Sequence, residues 1–142
     1  MSNLSFYIHI PYCTKRCGYC DFNTYTPTEL REGGTLEGVS EGFIDALIAE
    51  VTFAARTTST TIPTIFFGGG TPSLMPAKDL GRVLDLLKQR WEFPSDIEIT
   101  MECNPDTLTL QSLEKYRAIG INRISMGMQS ADSNVLKVLD LS

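Results

Sequence analysis

The sequence predicts an α/β fold, a parallel sheet with helices packed outside it, on three observations. Strand-like and helix-like segments alternate β-α four times along 142 residues. No junction between strands carries a hairpin signal. Glycines, a carboxylate, an amide and a group of cysteines recur where the strands end, which is where α/β sheets build their sites.

The elements follow in order. Residues 5–10, SFYIHI, are β-branched and aromatic and stop at Pro11, a first strand. Residues 24–38, TYTPTELREGGTLEG, are rich in Pro, Gly and polar groups, a loop long enough to expect function or mobility. Residues 39–56 repeat apolar positions at helical spacing: Val39, Phe43, Leu47 and Val51, with Ile44 and Ile48 beside them. TIFFGGGT, from residue 64, is a strand running into three glycines. Residues 75–91 form a helix with Leu80, Val83, Leu84 and Leu87 on one face. DIEITME, 96–102, is a strand, and NPDT, 104–107, a turn. Residues 109–121 are a helix closed by Gly120. Residues 122–130, NRISMGMQS, are a fourth strand, and a fourth helix runs from 131 to the last residue.

Composition bounds the function. The chain is long enough for one domain with a real core. No apolar run approaches the ~20 residues of a membrane span, and the N-terminus lacks the pattern of a signal peptide. A net charge of −5 argues against a nucleic-acid partner. The expected location is cytoplasmic, where thiols stay reduced and clustered cysteines read as metal-binding or catalytic.

Three of the four cysteines, Cys13, Cys17 and Cys20, lie on one loop directly after the first strand, spaced C-x3-C-x2-C. Two metal readings stand. A 4Fe–4S cluster takes thiolates, and three of them leave one iron open for a substrate or cofactor. Zinc closes a tetrahedron with His9 as the fourth ligand. The strand weighs against zinc, because Ile8 and Ile10 share one face and His9 the other, and Pro11 then intervenes. His9 is expected in the core or behind the ligands. Cys103, after Glu102 at a strand end, is expected as a small buried hydrophobe.

Taken together, YIHIPYCTKRCGYCDFN, FFGGGTPSLM, ITMECNPDTL and GINRISMGMQS resemble the radical S-adenosylmethionine (SAM) superfamily. Within it the chain looks like the coproporphyrinogen dehydrogenase-like branch, on its heme-chaperone side. The resemblance runs from residue 5 to about 139 and implies the fold: about four βα units of an incomplete TIM-like (β/α) barrel of radical SAM type. It implies that Cys13, Cys17 and Cys20 hold a 4Fe–4S cluster whose open iron is chelated by SAM. Reductive cleavage of the sulfonium bond would follow, with the hard chemistry supplied by the cofactors. Tyr7 matches a residue beside the SAM site, against a plain strand tyrosine. Gly68, Gly69, Gly70 and Thr71 match the glycine-rich strand end that lets backbone approach SAM, against a simple turn. Glu102 matches a SAM-contacting carboxylate, against a solvated strand end. Gln129 matches a polar residue of the fourth strand, against a surface amide. Tyr19 and Phe22 flank the third cysteine and would shield the cluster or pack a tetrapyrrole. Lys15 and Arg16 would tune the cluster or meet a porphyrin propionate, against two solvated loop cations.

Two departures from the pattern shape the expectation. The dehydrogenase branch has a further cysteine where this chain has Phe22, which disfavours coproporphyrinogen oxidation. An arginine expected twelve residues after Gln129 is Leu141. Residues 1–142 are therefore expected to be a truncated radical SAM core, with the remaining barrel units and a C-terminal domain absent. The expected activity of the full-length relative is SAM- and cluster-dependent heme binding and transfer. Oxygen-independent coproporphyrinogen dehydrogenation is the alternative, and a zinc-binding module the alternative of another class.

Overall fold

The computed structural model describes residues 4–30, 36–56 and 60–139, with side chains in the second stretch described from residue 42. Four strands and four helices alternate: β1 Phe6–Ile10, α1 Leu36–Ala54, β2 Thr64–Gly69, α2 Ala77–Arg90, β3 Glu98–Cys103, α3 Leu110–Ile119, β4 Arg123–Met126 and α4 Ser133–Val138. Short 3₁₀ turns at Pro72–Leu74 and Pro105–Thr107 follow β2 and β3. The sheet is wholly parallel in the order β1-β2-β3-β4, as the alternation requires.

Side chains alternate across the sheet. Ile8, Ile10, Ile65, Phe67, Ile99, Met101 and Cys103 are buried on the helix side. Leu80, Val83, Leu84 and Leu87 of α2 and Ile44 and Val51 of α1 complete this core. The α2 face is the one its spacing predicts. On α1 the centre of the stripe is Ile44 and Val51; Phe43, Leu47 and Ile48 pack at its margin, and the Val39 side chain lies outside the described residues. At Gly81 an added Cβ would stand 3.1 Å from Ile119, so α2 and α3 approach closely there. Helix α3 begins and ends as its caps dictate. Thr109 and Ser112 form a reciprocal capping box, and Gly120 closes the helix at φ +111°.

Several boundaries move by a few residues, three of them for reasons visible in the structure. Helix α1 starts at Leu36, inside the stretch read as loop, because one glycine at position 38 costs a helix only about 1 kcal/mol. Strand β4 ends at Met126, not Ser130. Its partner β3 ends at Cys103 and turns through Asn104 into Pro105, which has no N–H to continue a ladder. Helix α4 starts at Ser133, after an Asp132 cap whose carboxylate accepts from the Asn134 N–H. Leu141 lies outside the described residues.

The other sheet face is open. Tyr7, Phe66, Thr100 and Arg123 lie in one row across the four strands. In the next row His9 pairs with Gly68, and Glu102 with Ser125. This face and the strand ends above it carry the site.

Candidate functional site

The cysteine loop leaves β1 at Pro11 and returns through Thr24. Its base is closed by a parallel bridge between Tyr12 and Tyr25. Three consecutive carbonyls of the returning limb are each held by a different donor. Asn23 C=O lies 2.9 Å from His9 Nε2. Thr24 C=O accepts from Arg16 Nη2 at 2.5 Å, and Tyr25 C=O from the Cys13 N–H at 3.0 Å. Arg16 also pairs with Glu29 at 2.9 Å. The Glu29 carboxyl is held below the ordinary range by the Thr26 backbone N–H first, then by Arg16 and the Thr26 hydroxyl. Arg16 is thus a clasp across the loop, a structural role beyond the solvated cation, the cluster-tuning group and the propionate partner that the sequence suggested.

Cys13 is buried, while Cys17 and Cys20 are half-exposed, and none of the three is in a disulfide. A turn within the loop has Cys20 N–H donating to Cys17 C=O at 3.0 Å. The exposed Tyr19 ring stands beside both outer cysteines. Burial first, then Cys17 and Cys20, push its hydroxyl above the usual range.

The glycines bring β2 against this loop. Gly70 N–H donates to Ile10 C=O at 2.8 Å and Thr71 N–H to Tyr12 C=O at 2.7 Å. The Thr71 hydroxyl lies 3.8 Å from Cys13 Sγ. A Cβ on Gly70 would stand 2.5 Å from Tyr12 O and 2.9 Å from Cys13 Sγ. One on Gly69, at φ +112°, would stand 2.7 Å from the His9 ring. One on Gly68 would fall 3.0 Å from Glu102 Oε2 and 3.0 Å from Tyr7 Cε2. At Gly69 and Gly70 backbone carbonyls stand within 3 Å of an added Cβ and exclude a side chain, whereas at Gly68 the ends of Tyr7, Phe66 and Glu102 would have to move.

Glu102 and Tyr7 flank the same glycines. Gly69 N–H donates to Glu102 Oε2 at 3.2 Å. The exposed Tyr7 ring stacks on Phe66 at 6.1 Å, and burial, then the Glu102 charge, raise its hydroxyl pKa. Tyr7 Oη lies 2.9 Å from His9 Nδ1. A carbonyl only accepts, so His9 Nε2 carries the proton toward Asn23 and Nδ1 accepts from Tyr7. Both ring nitrogens of His9 are engaged.

Cys103 sits in the helix-side core, as expected. Burial pushes its thiol up to about 11, and its Sγ lies 3.8 Å from Met101 O. Gln129 is exposed, beyond the end of β4, in left-handed backbone at φ 58°. Its amide nitrogen would stand 2.7 Å from a Cβ on Gly127. The structure thus joins Tyr7, Gly68, Gly69, Gly70, Thr71, Glu102 and Cys13 through direct neighbours, with Tyr19 beside Cys17 and Cys20. Gln129 is tied to them by sequence position alone. The sequence reading missed the three carbonyl clamps and the stacked Phe66. For Phe66 the alternation in TIFFGG held the signal, since it places Phe66 opposite the core residue Phe67.

The donor set and the cradle fit an iron–sulfur cluster with a small polar ligand. A cluster takes each thiolate on a separate iron. Zinc instead draws its ligands to 2.0–2.3 Å of one point; among the described residues no three His, Cys, Asp or Glu side chains, the three cysteines included, are grouped for a metal ion. Both ring nitrogens of His9 are engaged by Tyr7 and Asn23, which weighs against it as a fourth zinc ligand. No helix among the described residues is long and apolar enough to cross a membrane.

Comparison with known proteins agrees with this geometry. A family model described as the radical SAM superfamily matches residues 7–140. The heme chaperone HemW of Mycobacterium tuberculosis is 41% identical over 136 residues, covering 94% of this chain and 33% of its own length. HemW of Escherichia coli is 38% identical, covering 96% and 34%. Radical S-adenosyl methionine domain-containing protein 1, mitochondrial, of Mus musculus is 38% identical, covering 94% and 28%. The solved structure of coproporphyrinogen III oxidase (HemN) from Escherichia coli, described as a radical SAM enzyme, superposes with a TM-score of 0.84 at 29% identity. That match covers 97% of this chain and 30% of the other. The chain therefore spans about a third of the length of the curated relatives it matches.

Proposed function

The chain belongs to the radical SAM superfamily, and from that premise we propose that residues 1–142 are the cluster- and SAM-binding part of a heme chaperone. The four βα units correspond to the N-terminal part of a radical SAM barrel. In this reading Cys13, Cys17 and Cys20 hold a 4Fe–4S cluster. Glu102, held in place by the Gly69 N–H, would present its carboxylate to SAM. Gly68, Gly69 and Gly70 keep side chains out of the space beside it. Thr71 holds the strand end against Cys13, Tyr7 walls the carboxylate side, Tyr19 covers the outer thiols, and Gln129 supplies a further polar contact. When bound, the cluster supplies the electron for reductive cleavage of SAM.

The observation that carries this reading is the packing of Gly70 and Thr71 directly on Cys13, with Glu102 on the adjoining glycines. One rim therefore joins a thiol donor to a carboxylate. Heme as the ligand of the whole protein rests on the relatives named HemW and on Phe22. A cytoplasmic or otherwise reducing setting suits the free thiols. The solved neighbour favours a second reading, anaerobic coproporphyrinogen oxidation, against which Phe22 stands.

Two experiments on the whole protein test this. Anaerobic reconstitution should give broad iron–sulfur absorption. Titration with heme should give saturable binding, while coproporphyrinogen stays unconverted under reducing conditions. Turnover of coproporphyrinogen would transfer the assignment to the second reading.

A further inference from the structure

The returning limb of the cysteine loop is held at three successive carbonyls by Cys13 N–H, Arg16 and His9. The first two donors belong to the loop itself. Of these three donors only His9 belongs to the sheet, and its hold is conditional. Nε2 donates to Asn23 C=O only while the proton sits on that nitrogen; the carbonyl, which only accepts, selects that tautomer, and the Tyr7 hydroxyl then donates to Nδ1. The His9 ring also fills the space that Gly69 leaves free, so its orientation is set by packing as well as by hydrogen bonds. One chain of contacts thus runs from Glu102, over Gly68 and Tyr7, through His9, to the loop three residues after Cys20.

We propose that His9 is a positioning residue of the cysteine loop: its Nε2–H holds the Asn23 carbonyl, with the ring braced at Nδ1 by Tyr7, and so sets the limb that carries Cys20 before a cluster is bound. The proposal rests on the reading of Cys13, Cys17 and Cys20 as cluster ligands. It assigns His9 no contact with the cluster.

Two near-isosteres separate the two ring nitrogens. His9→Gln places an amide N–H near the Nε2 position and keeps the donor to Asn23. His9→Asn reaches only as far as Nδ1, keeping the Tyr7 side and losing the Asn23 side. Amide hydrogen exchange of the metal-free chain at Cys13, Cys20 and Tyr25, whose N–H groups are bonded within the loop, reads the hold directly. Iron and sulfide content after anaerobic reconstitution reads its consequence. For His9→Asn, exchange at Cys20 and Tyr25 should rise roughly two- to tenfold, the effect of one net hydrogen bond, and iron uptake should fall. For His9→Gln, both readouts should stay near wild type. Wild-type exchange in His9→Asn would overturn the proposal, as would equal loss of iron in both variants with exchange unchanged. Failure of the wild-type chain to take up iron would sink the cluster assignment instead, and the exchange comparison would still decide the role of His9.

Discussion

Gly69 and Gly120 have almost the same backbone, φ +112° and +111°, but different surroundings. Around Gly120 the nearest atoms to an added Cβ are at 3.5 Å or beyond; around Gly69 they include the His9 ring at 2.7 Å and Ile10 O at 2.9 Å. Gly120→Ala should therefore cost only the left-handed strain, about 1–2 kcal/mol in chemical denaturation. Gly69→Ala should cost more, up to about 3 kcal/mol, and should also reduce iron uptake, because His9 must move. Equal losses would mean that crowding at Gly69 is relieved without cost. Cys103 offers the opposite contrast. Its thiol, with a pKa of about 11, stays protonated at neutral pH in the core. Cys103→Ala should leave any iron–sulfur chromophore intact while lowering stability by roughly 1 kcal/mol through a small cavity. At this scale the sequence showed residue types and strand ends. It did not show His9 Nε2 meeting Asn23, because a side chain bonding to a backbone carbonyl fourteen residues on leaves no mark in composition or periodicity.

The cysteine loop is the element whose order is most open to test. Glu29 is exposed, yet its carboxyl is depressed below the ordinary 4.5 by Thr26 and Arg16. A carboxyl lowered by folding stabilises fully above its unfolded value, and that contribution fades as pH falls through the folded one. Protection of the loop amides should thus be constant from neutral pH to about 4.5 and decline below it, and Glu29→Gln should flatten that decline. A decline of equal size in Glu29→Gln would assign it to other carboxylates. The regular elements were legible because each carries its own period and stops. The α2 stripe of Leu80, Val83, Leu84 and Leu87 and the Thr109 and Gly120 caps of α3 read directly. Strand β4 was read too long because Met126 and Met128 alternate like strand residues, while pairing depends on β3, which turns away at Pro105.

Across the whole molecule, one sheet face is sealed by helices and the other carries the site. At the end of β4, Met126 and Met128 are 59% and 73% exposed. Such apolar surface beside a strand edge favours association. Sedimentation of this chain should show mass rising with concentration, and Met126→Lys with Met128→Lys should reduce it. A monomer at all concentrations would show that this surface is tolerated in water. The parallel α/β architecture was readable from element order alone. The members of the rim were readable too, as residues at successive strand ends; their contacts were not, because the register of three strands decides how Cys13, Gly70 and Glu102 meet their neighbours.

The decisive measurement is anaerobic iron and sulfide reconstitution of the chain, read by absorbance and metal analysis, alongside single Cys→Ala changes at positions 13, 17, 20 and 103. Broad thiolate-to-iron absorption with iron and sulfide in about equal amounts is expected for the wild type. It should be lost in each of the first three variants and retained in Cys103→Ala. A colourless chain holding zinc, or a chromophore that survives at Cys13, Cys17 and Cys20 but disappears with Cys103, would contradict the assignment of these three thiols to a cluster.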